Sequence, residues 1–280
     1  MILKSNAHTH TSFCDGLNTP EEIVLKAISL GFIAIGFTSH SNCADKGLVP
    51  EDFWLDEKRQ EEYIKEVNRL KLKYKEKIAI YLSLEIDSLS VLPLPKLDYK
   101  LCSVHYVKGD DGVQYPVDLS PESFKEGIEK GFKNDVYYMI EKYYKAIDEM
   151  LEKFKPDICG HVDLIKIFNK GNVFFDENSD RYKNIVIPLI KKYASKVIFE
   201  INTNVVFKKR RTTPYPNIFI LEEILKNNGK IMINSDSHTI ESLNFYFEEA
   251  LELCKKIGFK KISMLGLNNL EEVDLESENL

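Results

Sequence analysis

Short β-branched apolar runs alternate with longer amphipathic segments along this 280-residue chain, and this alternation most constrains its fold. Strands are predicted at 2–7, 33–37, 78–86, 100–107, 156–165, 196–203 and 230–238, with 260–265 as an eighth strand or a closing edge. Helical patterns separate most of them, at 56–76, 134–154, 180–194, 217–228 and 241–257. Such alternation implies a parallel sheet with crossover helices. Seven or eight units at this length favour a closed α/β barrel over an open sheet.

The first helix has a sequence signal at each end. Thr19 is suited to the N-cap, Pro20 to the first helical position and Glu22 to the third, which is the capping-box pattern. Gly31 is suited to the position just beyond the last helical turn. The helix is therefore predicted to begin at Pro20 and to stop before Gly31.

Charge and cysteine content narrow the class of protein. A net charge of −6 argues against nucleic acid as the main partner, since binding many phosphates needs a basic face. No apolar run approaches the roughly 20 residues that span a bilayer, so no membrane is expected. The five cysteines are irregularly spaced and form no CxxC pair, which disfavours a disulfide framework or a thiolate zinc site. We expect a cytoplasmic, reduced protein with one domain over residues 1–280; the sequence does not specify its oligomeric state.

All six histidines fall late in a predicted strand or just after one, and several carboxylates share this placement. The histidines are His8, His10, His40, His105, His161 and His238, and the acids are Asp15, Glu85, Asp87, Glu200 and Asp236. The carboxyl ends of parallel barrel strands open onto one face, so residues far apart in sequence meet there. A single strand-end histidine is more often a satisfied polar residue than a ligand. The whole set instead predicts a metal site, and its size suggests more than one ion.

The ordered motifs of the chain resemble the PHP (polymerase and histidinol phosphatase) superfamily over roughly residues 2–266. These motifs are NAHTHTSFCDG (6–16), GFTSHS (36–41), LSLEID (82–87), CSVHYV (102–107), DICGHVDLI (157–165), FEINT (199–203) and INSDSH (233–238). Within the superfamily, FCDG, SVHY, EINT and TPYP (213–216) look closest to the PHP-type histidinol-phosphate phosphatases.

The resemblance implies a distorted (β/α)7 TIM-like barrel that holds three divalent metal ions, drawn from zinc, manganese and iron. The implied ligands are His8, His10, Glu85 and Asp236 for the first ion, Glu85 as a bridge with His105 and His161 for the second, and Asp15, His40 and His238 for the third. Many PHP proteins have histidine where this chain has Asp15, and a carboxylate there still ligates.

The resemblance also implies the activity: metal-dependent hydrolysis of the small phosphorylated substrate L-histidinol phosphate, a step of histidine biosynthesis, by a hydroxide that bridges two metals. Glu85, Asp236 and His238 would be the catalytic residues. In the substrate loop 202–216, Arg211 and Lys208 are candidate contacts to phosphate, and Lys166, which follows His161, is a third candidate. Arginine binds phosphate in a bidentate manner.

Several alternatives stay open at this stage. One alternative keeps the chemistry and changes the substrate to another small phosphomonoester or a nucleotide. Another alternative is a non-catalytic metal-bound regulatory protein. A nuclease role is disfavoured because there is no basic channel. Asp87 is expected to orient a ligand and not to ligate. Glu200 either accepts a hydrogen bond from a ligand or makes a polar contact at the barrel rim. The basic run 208–211 is alternatively a solvated loop, and a surface position is favoured for Lys166. The aromatic segment 121–154 forms a partial lid or, more commonly for such segments, packs in the core or at a dimer contact.

Overall fold

The computed structural model describes residues 3–43, 48, 53–91 and 93–276. In chain order the helices and strands are β1 (Ser5–Asn6), α1 (Pro20–Ser29), β2 (Ala34–Phe37), α2 (Glu57–Tyr74), β3 (Ala79–Leu82), β4 (Glu85–Asp87), β5 (Leu101–Ser103), β6 (Tyr106–Lys108), β7 (Gln114–Pro116), α3 (Pro121–Gly131), α4 (Val136–Phe154), β8 (Ile158–Cys159), α5 (Asp180–Tyr193), β9 (Ile198–Asn202), α6 (Asn204–Phe207), α7 (Ile218–Lys226), β10 (Lys230–Asn234), α8 (Phe247–Ile257), β11 (Lys261–Gly266) and β12 (Asn269–Asp274). Single 3₁₀ turns lie at Leu164–Lys166 and Ile240–Ser242.

The strands form two parallel systems and one hairpin. One sheet has the order β1-β2-β3, and a second has the order β12-β11-β10-β9-β8-β5-β4. Every pair within them is parallel except β11 with β12. The hairpin β6-β7 stands apart. The predicted parallel α/β organisation is therefore present, with an added antiparallel edge strand that the sequence did not suggest.

Single bridges join the two parallel sheets on both sides. Thr9 pairs with Ser237 beyond the ends of β1 and β10, and His40 pairs with Glu85 where β2 ends and β4 begins. The strands therefore follow one another around a ring, and a single bridge closes the ring at each of the two places where the sheets meet. Both bridges lie within the histidine and carboxylate motifs.

Two long predicted strands are each divided in the structure. The run 78–86 becomes β3 and β4 because Ser83 crosses from one sheet to the other: its N–H donates to the Phe37 carbonyl, and its hydroxyl donates to the Tyr99 carbonyl. The run 100–107 becomes β5 and β6, with His105 in the gap. Residue 2 of the predicted first strand lies outside the described residues.

The first helix has the predicted boundaries. The Thr19 side chain accepts from the Glu22 N–H, and the Glu22 carboxylate accepts from the Thr19 N–H in return. Gly31 follows the last turn with φ +75°, a conformation that glycine adopts at little cost. This helix connects the loop that carries Asp15 to β2.

The aromatic segment 121–154 belongs to the core. Phe124, Phe132, Tyr143 and Tyr144 are buried in one apolar cluster that runs from Leu3 to Leu275. No residue of this segment lines the main cavity in the described part of the chain. The structure thus favours core packing over a lid. Among the described helices, none combines the length and apolar character that a membrane crossing requires.

Candidate metal centre

Glu85 lies at the centre of the candidate site, at the first position of β4, and is 1% exposed. Its Oε2 lies 3.1 Å from Nδ1 of His40 and 3.3 Å from Nε2 of His10. Its Oε1 lies 3.0 Å from Nε2 of His161 and 3.5 Å from Nε2 of His105. Because each oxygen faces a different set of imidazoles, one carboxylate can serve two cations at once.

Three groups of side chains offer ligand atoms that lie within 4.8 Å of one another. Together they contain every metal ligand named from the sequence. The groups are His10, Asp15, His40 and His238; His8, His10 and Asp236; and Glu85, His105 and His161. His10 belongs to two of them, because its Nδ1 lies 3.4 Å from Asp15 and its Nε2 lies 3.1 Å from Asp236.

The donor set fits divalent metal ions. Oδ1 of Asp15 and Oδ1 of Asp236 are buried and have no hydrogen-bond partner among the described residues. A buried carboxylate oxygen without a donor is costly unless a cation neutralises it. Imidazole nitrogen and carboxylate oxygen together suit zinc, manganese and iron. The two unpartnered oxygens therefore point to cations at the positions that they face.

Two further carboxylates each contact the ring nitrogen of a histidine that does not face Glu85. Glu200 places Oε1 2.7 Å from Nδ1 of His8, and Asp87 places Oδ2 3.1 Å from Nδ1 of His105. In each case Nε2 of the same ring is left facing Glu85. A carboxylate that holds one ring nitrogen in this way fixes the tautomer and strengthens the other as a ligand. This is the orienting role predicted for Asp87 and one of the two roles that the sequence left open for Glu200.

The site also contains two asparagines that the sequence reasoning missed. Asn202 and Asn204 each donate from Nδ2 to Oδ2 of Asp236 at 3.1 Å. Asp236 itself has φ +48°, a left-handed conformation that is unusual outside glycine and is typical of functional positions. Its Oδ2 is thus fixed by two amides while Oδ1 faces the histidines. Asn202 lies two residues beyond Glu200 on β9, so strand alternation was a signal that could have identified it.

Burial and the local charges shift the pKa values of these groups. Burial lowers the pKa of His8, but the carboxylates of Glu200 and Asp236 outweigh it and hold the pKa well above its ordinary value. Burial raises the pKa of Glu85, but the neighbouring His8 and His105 reverse this and hold the pKa well below its ordinary value. Burial dominates at His40 and lowers its pKa to about 3. Without metal, the cluster thus combines an ionised Glu85 and a protonated His8 with a neutral His40.

We expect metal binding near neutral pH to release more than one proton. Burial lowers the pKa of His105, but Glu85 and Asp87 raise it to about 10, so His105 and His8 carry protons that a metal must displace. Apparent affinity should therefore fall as the pH falls, by up to about tenfold per pH unit for each proton displaced. Titration calorimetry in two buffers with different ionisation heats measures this release. Equal heats in the two buffers would contradict it.

We expect Glu200→Gln to weaken metal binding by about 10- to 100-fold, because His8 loses the carboxylate that orients it. Glu223→Gln is the matched control: Glu223 is also buried, but its oxygens contact Asn227 and Lys191. Competition with a chromophoric chelator gives both affinities. The same affinity in the two variants would show that Glu200 has no role in ligand orientation.

A cavity of about 340 Å³ opens over the ligands and has a size usual for small-molecule sites. Lys208 lines it, as does Arg210, which was not among the substrate contacts named from the sequence. Arg211 instead forms a bidentate pair with Glu177 at 2.7 and 2.8 Å, and Lys166 lies 2.7 Å from Asp163. Of the three cations named from the sequence, only Lys208 is on the cavity wall. Lys166 is 1% exposed, so the surface position favoured for it is wrong.

Comparison with known proteins agrees with this geometry. A protein from Schizosaccharomyces pombe named a probable histidinol-phosphatase is 28% identical over 283 residues, covering 95% of this chain and 90% of the relative. A histidinol-phosphatase from Bacillus subtilis is 27% identical over 273 residues, covering 90% of this chain and 99% of the relative.

A crystal structure of histidinol phosphate phosphatase from Lactococcus lactis, in complex with zinc, L-histidinol and phosphate, is similar with a TM-score of 0.69 and 22% identity, covering 97% of this chain and 100% of that one. The predicted fold class, an α/β distorted TIM-like barrel, is thereby confirmed. The model of the PHP domain family matches residues 6–204, well over half of the sequence. The chain belongs to the PHP domain family.

Proposed function

We propose that this chain is a metal-dependent phosphomonoesterase that hydrolyses L-histidinol phosphate to L-histidinol and phosphate. The observation that carries the proposal is the pair of Glu85 oxygens facing two different sets of imidazoles at the base of the cavity. The relatives named histidinol-phosphatases extend over nearly the whole chain and support this substrate. One apolar cluster runs from Leu3 to Leu275, which supports a single PHP domain over residues 1–280.

The proposed cofactors are three divalent ions, with zinc, manganese and iron as the candidates. His8, His10, Glu85 and Asp236 would hold the first; Glu85, His105 and His161 the second; and Asp15, His40 and His238 the third. Such ions supply an activated water at neutral pH and neutralise charge on the phosphoryl oxygens.

The chain's own residues shape and orient the proposed catalytic set of Glu85, Asp236 and His238. The amides of Asn202 and Asn204 keep Oδ1 of Asp236 turned toward the histidines. Nδ1 of His238 lies 2.9 Å from the main-chain oxygen of Asp236, so its Nε2 is left facing Asp15 at 3.0 Å. Because Asp236 and His238 each have one atom held by a neighbour, these two side chains need little reorganisation when substrate enters.

Lys208 and Arg210 are the proposed contacts to the phosphate. Both lie after α6 on the cavity wall, and both are exposed, so they are free to turn toward an anion. Arg211 and Lys166 have a structural role instead. Arg211 pairs with Glu177 and donates to the Lys166 carbonyl, and Lys166 pairs with Asp163. These contacts hold the loop after α6 against the segment after β8.

We expect Arg210→Ala to raise KM by about tenfold, since a charge-assisted contact to phosphate contributes roughly 1.5–3 kcal/mol. Lys209→Ala removes the same charge from the adjacent residue, which is exposed and does not line the cavity, and should change KM less than about twofold. Steady-state kinetics of the two variants tests this. Equal effects would indicate a general charge effect and not a contact.

The proposed function is tested with metal-reconstituted protein and a substrate panel. The panel contains L-histidinol phosphate, a sugar phosphate, a nucleoside monophosphate and a phosphodiester. We expect kcat/KM to be highest for L-histidinol phosphate. A higher value for another monoester would change the substrate, and no turnover of any ester with metals bound would favour a non-catalytic metal-binding protein.

A further inference from the structure

Asp118 is a carboxylate on the cavity wall that belongs to none of the three metal groups. The other acids that line the cavity are Asp15, Glu85 and Asp236, and all of these are proposed ligands. Asp118 is half-buried and lies just beyond β7. The preceding residue, Val117, donates its N–H to the His105 carbonyl at 2.9 Å. This bond fixes the backbone next to Asp118 against a ligand residue.

The Asp118 carboxylate has no ion pair and no side-chain hydrogen bond within the residues that the structure describes. Lys208 and Arg210 line the same cavity, but among the described residues no ion pair joins either of them to Asp118. Burial raises the pKa of Tyr106, and the charge of Asp118 raises it further. Tyr106 lines the cavity too, so the carboxylate lies beside the cavity wall that a substrate would contact.

A cavity with this charge distribution suits a substrate of matching polarity. Metal ligands lie at the base, exposed cations lie on the loop after α6, and one unpaired anion lies beyond β7. A phosphoester that also carries an ammonium group would satisfy all three regions. In a partly desolvated cavity a carboxylate–ammonium contact is stronger than it is in water.

We propose that Asp118 binds the primary ammonium group of the substrate's alcohol part and so makes the site selective for phosphomonoesters that carry a cation close to the ester. This inference rests on the proposed phosphatase function. It assigns a specificity-determining contact to a residue outside the three groups of candidate metal ligands.

A matched pair of substrates tests the contact. L-Histidinol phosphate carries the amine, and 3-(imidazol-4-yl)propyl phosphate lacks it while keeping the same kind of leaving alcohol. With metal-loaded Asp118→Asn, kcat/KM for L-histidinol phosphate should fall by at least about tenfold, mostly through KM. For the desamino ester it should change by less than about twofold. Glu122→Gln removes an exposed charge nearby, in the first turn of α3, and should leave both values unchanged.

Inhibition by the products gives a second reading. In Asp118→Asn, L-histidinol should inhibit at least about tenfold more weakly, while inorganic phosphate should inhibit as in the wild type. If kcat/KM fell equally for both esters while that for p-nitrophenyl phosphate was unchanged, Asp118 would instead be a proton donor to the leaving group. That result would overturn the ammonium contact. No loss on either ester would also overturn it, and the phosphatase assignment would stand. If the wild type cleaves neither ester with metals bound, the proposed function fails and this inference fails with it.

Discussion

Glu85→Gln is expected to lower kcat for phosphomonoester hydrolysis by at least about a thousandfold and to reduce the number of metals bound per chain. Glutamine keeps the shape of the side chain but replaces one oxygen by an amide nitrogen, which does not ligate. Glu85 faces His10 and His40 through one oxygen and His161 through the other, so a single substitution disturbs two of the proposed ion positions. Elemental analysis and steady-state kinetics on the same preparation measure both effects.

Glu223→Gln is the control for the loss of a buried carboxylate that is far from the cavity. It should retain wild-type metal content and turnover, within the small change that a modest loss of stability would cause. If Glu85→Gln matched this control in both metal content and kcat, Glu85 would not bridge metals, and the proposed mechanism would be wrong.

Removing the metals with a chelator is expected to abolish turnover and to lower the midpoint of thermal unfolding by about 10 °C. When the free concentration of an ion is about a thousandfold above its dissociation constant, binding stabilises the folded state by about 4 kcal/mol. For a chain of this size each kcal/mol corresponds to roughly 2–4 °C. The physical source is the buried carboxylate oxygens of Asp15 and Asp236, which lack donors among the described residues.

Differential scanning calorimetry before and after chelation, and again after adding zinc or manganese back, measures this effect. Glu85→Gln should show a smaller metal-dependent shift than the wild type, which separates binding at the proposed centre from binding elsewhere. An unchanged unfolding midpoint, with full activity after exhaustive chelation, would show that the chain works without bound metals.

The proposed metal ligands could be identified from sequence because they obey a simple rule. His8 and His10, like Asp236 and His238, lie two residues apart after a strand, and the carboxyl ends of parallel strands meet at one face. That rule needs no knowledge of loop geometry. The structure brings these four side chains into clusters of potential ligand atoms, and His10 also joins the cluster of Asp15, His40 and His238.

The residues proposed to contact substrate were harder to identify because their positions depend on loops. Within 202–216 the short helix α6 decides which cations face the cavity, and it turns Arg210 toward the wall while Arg211 pairs with Glu177. Asp118 was missed because it follows a hairpin and not a barrel strand. Lys166 was misplaced because its partner Asp163 lies three residues away on a turn that read as strand.

The division of two predicted strands has the same physical origin. Apolar pattern alone shows that 78–86 and 100–107 are buried, but it does not show where the chain passes from one sheet to another. Side-chain hydrogen bonds decide this, such as that from Ser83 to the Tyr99 carbonyl. These bonds join residues that are distant along the chain.

The most direct test of the central claim is a crystal structure of metal-loaded protein with anomalous data collected at the absorption edge of the added metal. We expect separate anomalous peaks inside the cavity, with one oxygen of Glu85 on each of two neighbouring ions and a third ion among Asp15, His40 and His238. A single peak, or peaks that contact neither Glu85 nor Asp236, would contradict it.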